Sequence, residues 1–166
     1  MIRYERLELN SVVDGEGIRT AVFLRGCTHD CPGCQNKFLQ PFEGGNLVTE
    51  EELCREILKT FPKAKVQKNV TFSGGDPMCQ PAPLEKVIKL LKEAEPDINI
   101  WIYTGFLFEE IKHFGVIPFI DVIVDGPFIE NKRDSLLPFR GSSNQRLINV
   151  KESLQTDSAI LYRLHG

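Results

Sequence analysis

The sequence predicts an α/β fold arranged as a partial, open (β/α) barrel, and three observations carry that reading. Short β-branched and aromatic runs alternate with amphipathic helical patterns, the signature of parallel β–α units. Each run ends in a polar or glycine-rich turn (Arg25-Gly26, Gly74-Gly75, Thr104-Gly105, Asp125-Gly126), and such turns gather at the carboxyl edge of a parallel sheet. The chain has 166 residues, too few for a closed eightfold barrel of roughly 250. No repeat, low-complexity tract or Ser/Gly linker interrupts it, so residues 1–166 read as one domain.

Taken in order, residues 18–24 (Ile-Arg-Thr-Ala-Val-Phe-Leu) form a strand that stops at Arg25-Gly26. Thr49 and Glu52 make a capping box, and Leu53, Cys54, Ile57, Leu58 and Phe61 then fall on one helical face. Residues 69–73 are a second strand, halted by Gly74-Gly75-Asp76-Pro77. Leu84, Val87, Ile88 and Leu91 mark a helix over 81–94, followed by a strand over 98–103. A short helix is expected over 106–113 and a fourth strand over 119–124. Beyond Pro127 the pattern loosens into a polar stretch as far as Asn144, with strands expected over 146–150 and 160–164.

Composition excludes several classes of function. Hydrophobic residues are 42% of the chain and charged residues 26%, ordinary for a globular protein. A net charge of −3 gives no phosphate-binding surface of the nucleic-acid kind, so small molecules or proteins are the expected partners. The longest apolar candidate, 116–124, is broken by Pro118 and Asp121 and is too short for a membrane span. The first residues lack the apolar core of a secretory signal. Five cysteines, an odd number, then point to thiolate ligands in a reducing cytoplasm and away from a disulfide framework.

Three of those cysteines crowd into Cys27-Thr-His-Asp-Cys31-Pro-Gly-Cys34. A structural zinc site closes its tetrahedron with four protein ligands, commonly from two separated pairs. Three thiolates on one loop hold three irons of a 4Fe–4S cube and leave the fourth open to a small molecule. The competing reading is a zinc site that borrows a fourth ligand from His29, Cys54, Cys79 or His113. Cys54 lies in an apolar helical stripe and is most simply a core residue. His113 and His165 read as structural or solvent-facing, and His29 as orienting the loop or shielding the cluster. A glycine pair beside an acid at Gly74, Gly75 and Asp76 permits close backbone approach to a ligand and offers an acceptor for an ammonium group. An ordinary tight turn before the next helix explains the same residues.

The cysteine spacing after a first strand, with a Gly-Gly-acidic-Pro turn after a later one, resembles the radical S-adenosylmethionine superfamily. Within it, three stretches resemble the activating proteins of anaerobic (class III) ribonucleotide reductases. They are Val13-Asp-Gly-Glu-Gly-Ile-Arg19, Gly26-Cys-Thr-His-Asp-Cys-Pro-Gly-Cys-Gln-Asn36, and Val124-Asp-Gly-Pro-Phe128 with Phe139-Arg-Gly-Ser-Ser-Asn-Gln-Arg146. Many superfamily members carry an aromatic residue before the third cysteine; this chain has Gly33, which the activase subfamily tolerates.

The resemblance implies a barrel of the radical S-adenosylmethionine type, with Cys27, Cys31 and Cys34 holding a 4Fe–4S cluster. It further implies that S-adenosylmethionine chelates the open iron and is cleaved reductively to a 5′-deoxyadenosyl radical. That radical would generate a glycyl radical on an anaerobic ribonucleoside-triphosphate reductase, with a flavodoxin-type electron donor. Gly74, Gly75 and Asp76 would hold the methionine amino group, more through the glycine main chain than through the Asp76 carboxylate. Gly33, Cys34 and Gln35 would line the adenine. No protein acid or base is called for. Tyr103-Thr104-Gly105 and Asp125-Gly126 read equally as ribose or carboxylate contacts and as plain turns. Arg140, Asn144, Gln145 and Arg146 read as a solvated loop or as cofactor or partner contacts. Two other functions stay open: activation of a different glycyl-radical enzyme, of the pyruvate formate-lyase type, and a non-catalytic zinc module for protein contacts.

Overall fold

Seven strands in the order β3-β1-β2-β4-β5-β6-β7 make one open, mixed sheet in this computed structural model, which describes residues 1–165. Its middle is parallel as expected: β2 (Arg19–Leu24), β4 (Asn69–Gly74), β5 (Asn99–Tyr103) and β6 (Val122–Asp125) run side by side in register. Its two flanks are antiparallel, which the β–α alternation did not announce. β1 (Ile2–Ser11) pairs with both β2 and β3 (Asn46–Val48), and β7 (Arg146–Asn149) pairs with β6.

β1 escapes a period-two reading because its phase slips. Tyr4 faces Leu24 while Arg6 faces Phe23, so an extra residue, Glu5, bulges out of the ladder. Ile2 and Tyr4 therefore join Leu7, not Arg6, on the core side.

One face of the sheet carries the main core. Val22, Leu24, Val70, Phe72, Ile100, Ile102 and Ile123 project onto α1 (Glu50–Thr60) and α2 (Pro81–Ala94), which pack against each other. Both helices follow their sequence signals. The Thr49 hydroxyl accepts from the Glu52 amide and the Glu52 carboxylate accepts from the Thr49 amide, closing the capping box. Proline opens the first turn of α2, where its missing amide costs nothing.

The opposite face is more polar. Arg19, 2% exposed, crosses it beneath the Trp101 ring and donates to Thr71 Oγ1, to the Val70, Asn99 and Glu16 carbonyls and to Asn99 Oδ1. Burial lowers its guanidinium to about 10, which leaves the cation charged at neutral pH. Phe139 and Tyr162 pack edge-on against Trp101, and the Tyr162 hydroxyl donates to Glu16, so the C-terminal segment straps the start of β2 to the sheet.

Some boundaries differ from expectation. The helix expected over 106–113 is the single turn α3 (Phe108–Ile111), and the strand expected from 119 begins at Val122 because Pro118 opens a 3₁₀ turn, Ile117–Phe119. The strand expected over 160–164 is one bridge, Leu161 to Ile148, since Asn149 caps α4 (Val150–Thr156) and turns the chain away first. Among the described residues no helix is long and apolar enough to cross a membrane.

Candidate metal centre

The cysteine loop leaves the carboxyl end of β2 and is clamped at its root. Gly26 and Cys27 amides donate to the Leu39 and Gln40 carbonyls at 2.8 and 2.9 Å, and the Asp76 amide donates to the Gly26 carbonyl at 2.8 Å. The Gly74-Gly75 turn ends β4 directly alongside. Gly74 has φ +104°, a conformation L side chains rarely adopt, and a Cβ on Gly75 would stand 2.5 Å from the Gly26 carbonyl oxygen. The glycine pair is thus required by the approach of two main chains, cysteine loop to turn. Asn36 adds a side-chain bond to the Gly74 carbonyl.

Cys27, Cys31 and Cys34 are all half-buried and all line one cavity of about 640 Å³. Gln35, Gly74, Gly75 and Asp76 share its wall, as do Tyr103, Thr104, Gly105, Gly126, Arg140 and Gln145 from the ends of β5 and β6 and the loop before β7. Gly33 is exposed at the loop tip with φ +75° and packs against Glu130. The volume is in the range of small-molecule and cofactor pockets. Burial pushes the Cys27 thiol up to about 11, with Asp76 and the neighbouring thiols adding to it. Such a thiol needs a metal ion or another cation to become a thiolate.

Ligand spacing tests the alternatives for what the thiols hold. Atoms around one tetrahedral zinc with thiolate bonds near 2.3 Å stand about 4 Å apart. Among the described residues the only trio of candidate ligands whose atoms lie within 4.8 Å of one another is Cys27, His29 and Asp76, not the three thiols. A polynuclear cluster, held at three corners, fits the wider spread of Cys27, Cys31 and Cys34.

Asp76, 1% exposed, spends its carboxylate on the protein. Oδ2 accepts from His29 Nε2 at 2.8 Å, Thr104 Oγ1 at 3.0 Å and the Gly105 amide at 2.9 Å, and Oδ1 accepts from the Met78 amide at 2.9 Å. That hydrogen bond raises the His29 pKa above the ordinary imidazole value against the opposing effect of burial.

Asp125 is fully buried but turned from the cavity: its carboxylate accepts from Arg146 and from the Phe108 amide. Arg146 also reaches Glu109, and these two carboxylates raise its pKa further. Both residues thus brace the sheet edge. Asn144 donates to the Pro127 carbonyl, while Gln145 accepts from the Gly141 and Ser142 amides and donates to Gly126. Residues 139–145 are therefore an ordered part of the cavity wall, while much of 130–138 is exposed to solvent. Arg140 lies on that wall with Nε buried and without a partner. Cys54 is buried in the α1 stripe, His113 is exposed, and Cys79 sits behind the loop, 3.9 Å from the Thr28 hydroxyl.

Asp14, Ser73 and Phe128 also line the cavity, with no role legible for them in the sequence. Asp14 and Phe128 belong to the Val13–Arg19 and Val124–Phe128 blocks already singled out, so the signal was present without a role.

Known proteins resemble the chain over the stretch that carries this cavity. The 4Fe-4S single cluster domain family matches residues 13–148, which takes in the cysteine loop, the glycine turn and the cavity wall. The chain is 36% identical to the anaerobic ribonucleoside-triphosphate reductase-activating protein of Haemophilus influenzae, over 84% of this chain and 93% of that one. Its counterpart in Vibrio cholerae is 37% identical over 81% and 89%, and that of Enterobacteria phage T4 is 35% identical over 88% and 93%. With a shared cluster-domain pattern and this identity over nearly the whole length, the chain belongs to the family of anaerobic ribonucleoside-triphosphate reductase-activating proteins.

Proposed function

We propose that the chain is a radical S-adenosylmethionine activase that installs a glycyl radical on an anaerobic ribonucleoside-triphosphate reductase, with residues 1–166 as its catalytic unit. The observation that carries this reading is the convergence of three thiols, a main-chain glycine turn and strand ends on one cavity at the carboxyl edge of an open sheet. The sheet is a partial barrel of the radical S-adenosylmethionine type in this account, its open side admitting a loop of a large protein substrate.

Cys27, Cys31 and Cys34 would hold a 4Fe–4S cluster. When bound, the cluster and S-adenosylmethionine together supply one-electron cleavage to methionine and a 5′-deoxyadenosyl radical able to take a glycyl hydrogen atom. The chain's own contribution is placement. Gly74 and Gly75 present main-chain groups to the methionine end, and Gly33, Cys34 and Gln35 flank the adenine. The Asp76 carboxylate supports this turn from within, its acceptor sites already used by four protein donors. A flavodoxin-type protein in a reducing cytoplasm would deliver the electron.

The test mixes the reduced protein, S-adenosylmethionine and the reductase without oxygen. A glycyl-radical doublet in electron paramagnetic resonance, with 5′-deoxyadenosine released, is the expected result, and Cys31→Ala should abolish both. Pyruvate formate-lyase in place of the reductase should acquire no radical. The Cys27–His29–Asp76 trio keeps a zinc module as the second reading. A brown protein with about four irons per chain excludes it, whereas a colourless one with stoichiometric zinc supports it.

A further inference from the structure

We infer that His29 is a positioning residue: through Asp76 it tethers the cysteine loop to the sheet edge and sets how long the loop retains its cluster. This rests on the cluster reading above and goes beyond it by giving the one histidine of the motif a task.

Between Cys27 and Cys34 the loop has little of its own to hold it. Its internal bonds include Cys34 amide to Cys31 carbonyl at 3.2 Å and His29 amide to Cys27 Sγ at 3.4 Å, and Asp30 and Gly33 both have positive φ. Of side chains 28–33, His29 alone makes a hydrogen bond under 3.5 Å to the rest of the described chain, to Asp76. The Thr28 contact to Cys79 is the longer 3.9 Å. The same His29 residue thus grips a buried carboxylate with its ring and a thiol with its amide.

The surroundings are shaped for that ring. Phe106 packs edge-on against it at 4.4 Å between centroids. A Cβ at position 105 would stand 2.6 Å from its Cδ2, so a glycine there leaves the imidazole its place. Asp76 in turn is fixed from four sides, including Thr104 and Gly105 at the end of β5. The tether therefore joins three neighbouring strand ends: the loop after β2, the turn after β4 and the end of β5. A cluster held at three corners has no fourth thiolate to hold iron while one ligand swings out. Loop order must substitute for the missing ligand.

The test compares wild type, His29→Ala and His29→Gln after anaerobic reconstitution with iron and sulfide. Readouts are iron per chain, visible absorbance decay under a chelator, and the thermal midpoint of cluster-free protein. Glutamine carries an amide nitrogen to about the reach of Nε2. Wild type and the glutamine variant should lose iron at rates within about threefold of each other. The alanine variant should lose it about tenfold faster or more, as expected for removing a hydrogen bond to a charged group, a larger factor than its fall in midpoint accounts for. His29→Asn, too short to reach Asp76, should match alanine and serves if the alanine variant does not fold.

Retention of iron by alanine and asparagine variants at the wild-type rate overturns the tether. So does faster loss that tracks an equal fall in midpoint, or a glutamine variant with an altered cluster spectrum, which would make His29 a ligand. A wild type that takes up zinc and no iron defeats the cluster reading itself, and is told apart by the control sample.

Discussion

At the scale of single residues, the site is built by close contacts that tolerate little addition. Gly75→Ala would drive a methyl into the Gly26 carbonyl at the root of the cysteine loop. The expected cost is about 1–3 kcal/mol in urea denaturation of the cluster-free protein, together with a lower iron content after reconstitution. His29 gives a pH signature in the same cluster-free protein. Its folded pKa lies above its unfolded value, so the added stability is complete below the unfolded pKa of about 6.5. It is lost as pH rises through the raised folded value. The thermal midpoint of wild type should therefore exceed that of His29→Gln by more at pH 5.5 than at pH 8.5, and a constant difference would contradict the charged pair. The identities and spacing of the cysteines were readable in the chain because they are contiguous. The Asp76 bond to His29 was not, since 47 residues separate the two.

Individual elements divide by how local their causes are. α1 and α2 were legible in full, for capping residues and an apolar stripe at helical spacing are sequence-adjacent. Ile88 on α2 is wholly buried against the sheet, so Ile88→Ala should cost about 2–5 kcal/mol of unfolding free energy. Thr49→Ala, by contrast, removes only the cap of α1 and should cost about 1 kcal/mol by the same measurement. β1 was hidden by its bulge, and β3 by having three residues, two of them exposed. α3 stops at one turn: its Phe108 amide is held by Asp125 from β6, and turns closed by the Phe114 amide on Ile111 and the Ile117 amide on Phe114 lead on to Ile117–Phe119. No local propensity records that.

Over the whole molecule, the proposed function has a protein partner reach the cavity from the open side of the sheet. Leu136, 90% exposed, stands in the segment that walls the cavity, while Val66 lies in a separate surface cleft built from the segments that lead into the amino ends of β4 and β5. A photo-cross-linking residue at position 136 should capture the glycine-bearing loop of the reductase, and one at position 66 should not; the reverse pattern would put the partner on the wrong side of the sheet. What the chain determines by itself is what neighbours along it can encode: the thiol spacing, the two amphipathic helices, the parallel middle of the sheet and the glycine turn beside an acid. Tertiary structure alone decided that the sheet has antiparallel flanks, that Asp125 and Arg146 brace an edge, and that Arg19 spans three strands. It also decided that Asp76 serves the protein before any ligand. All but the antiparallel flanks turn on a buried polar group finding a partner tens of residues away. Desolvation forces such a group to pair somewhere, and only the folded arrangement selects with whom.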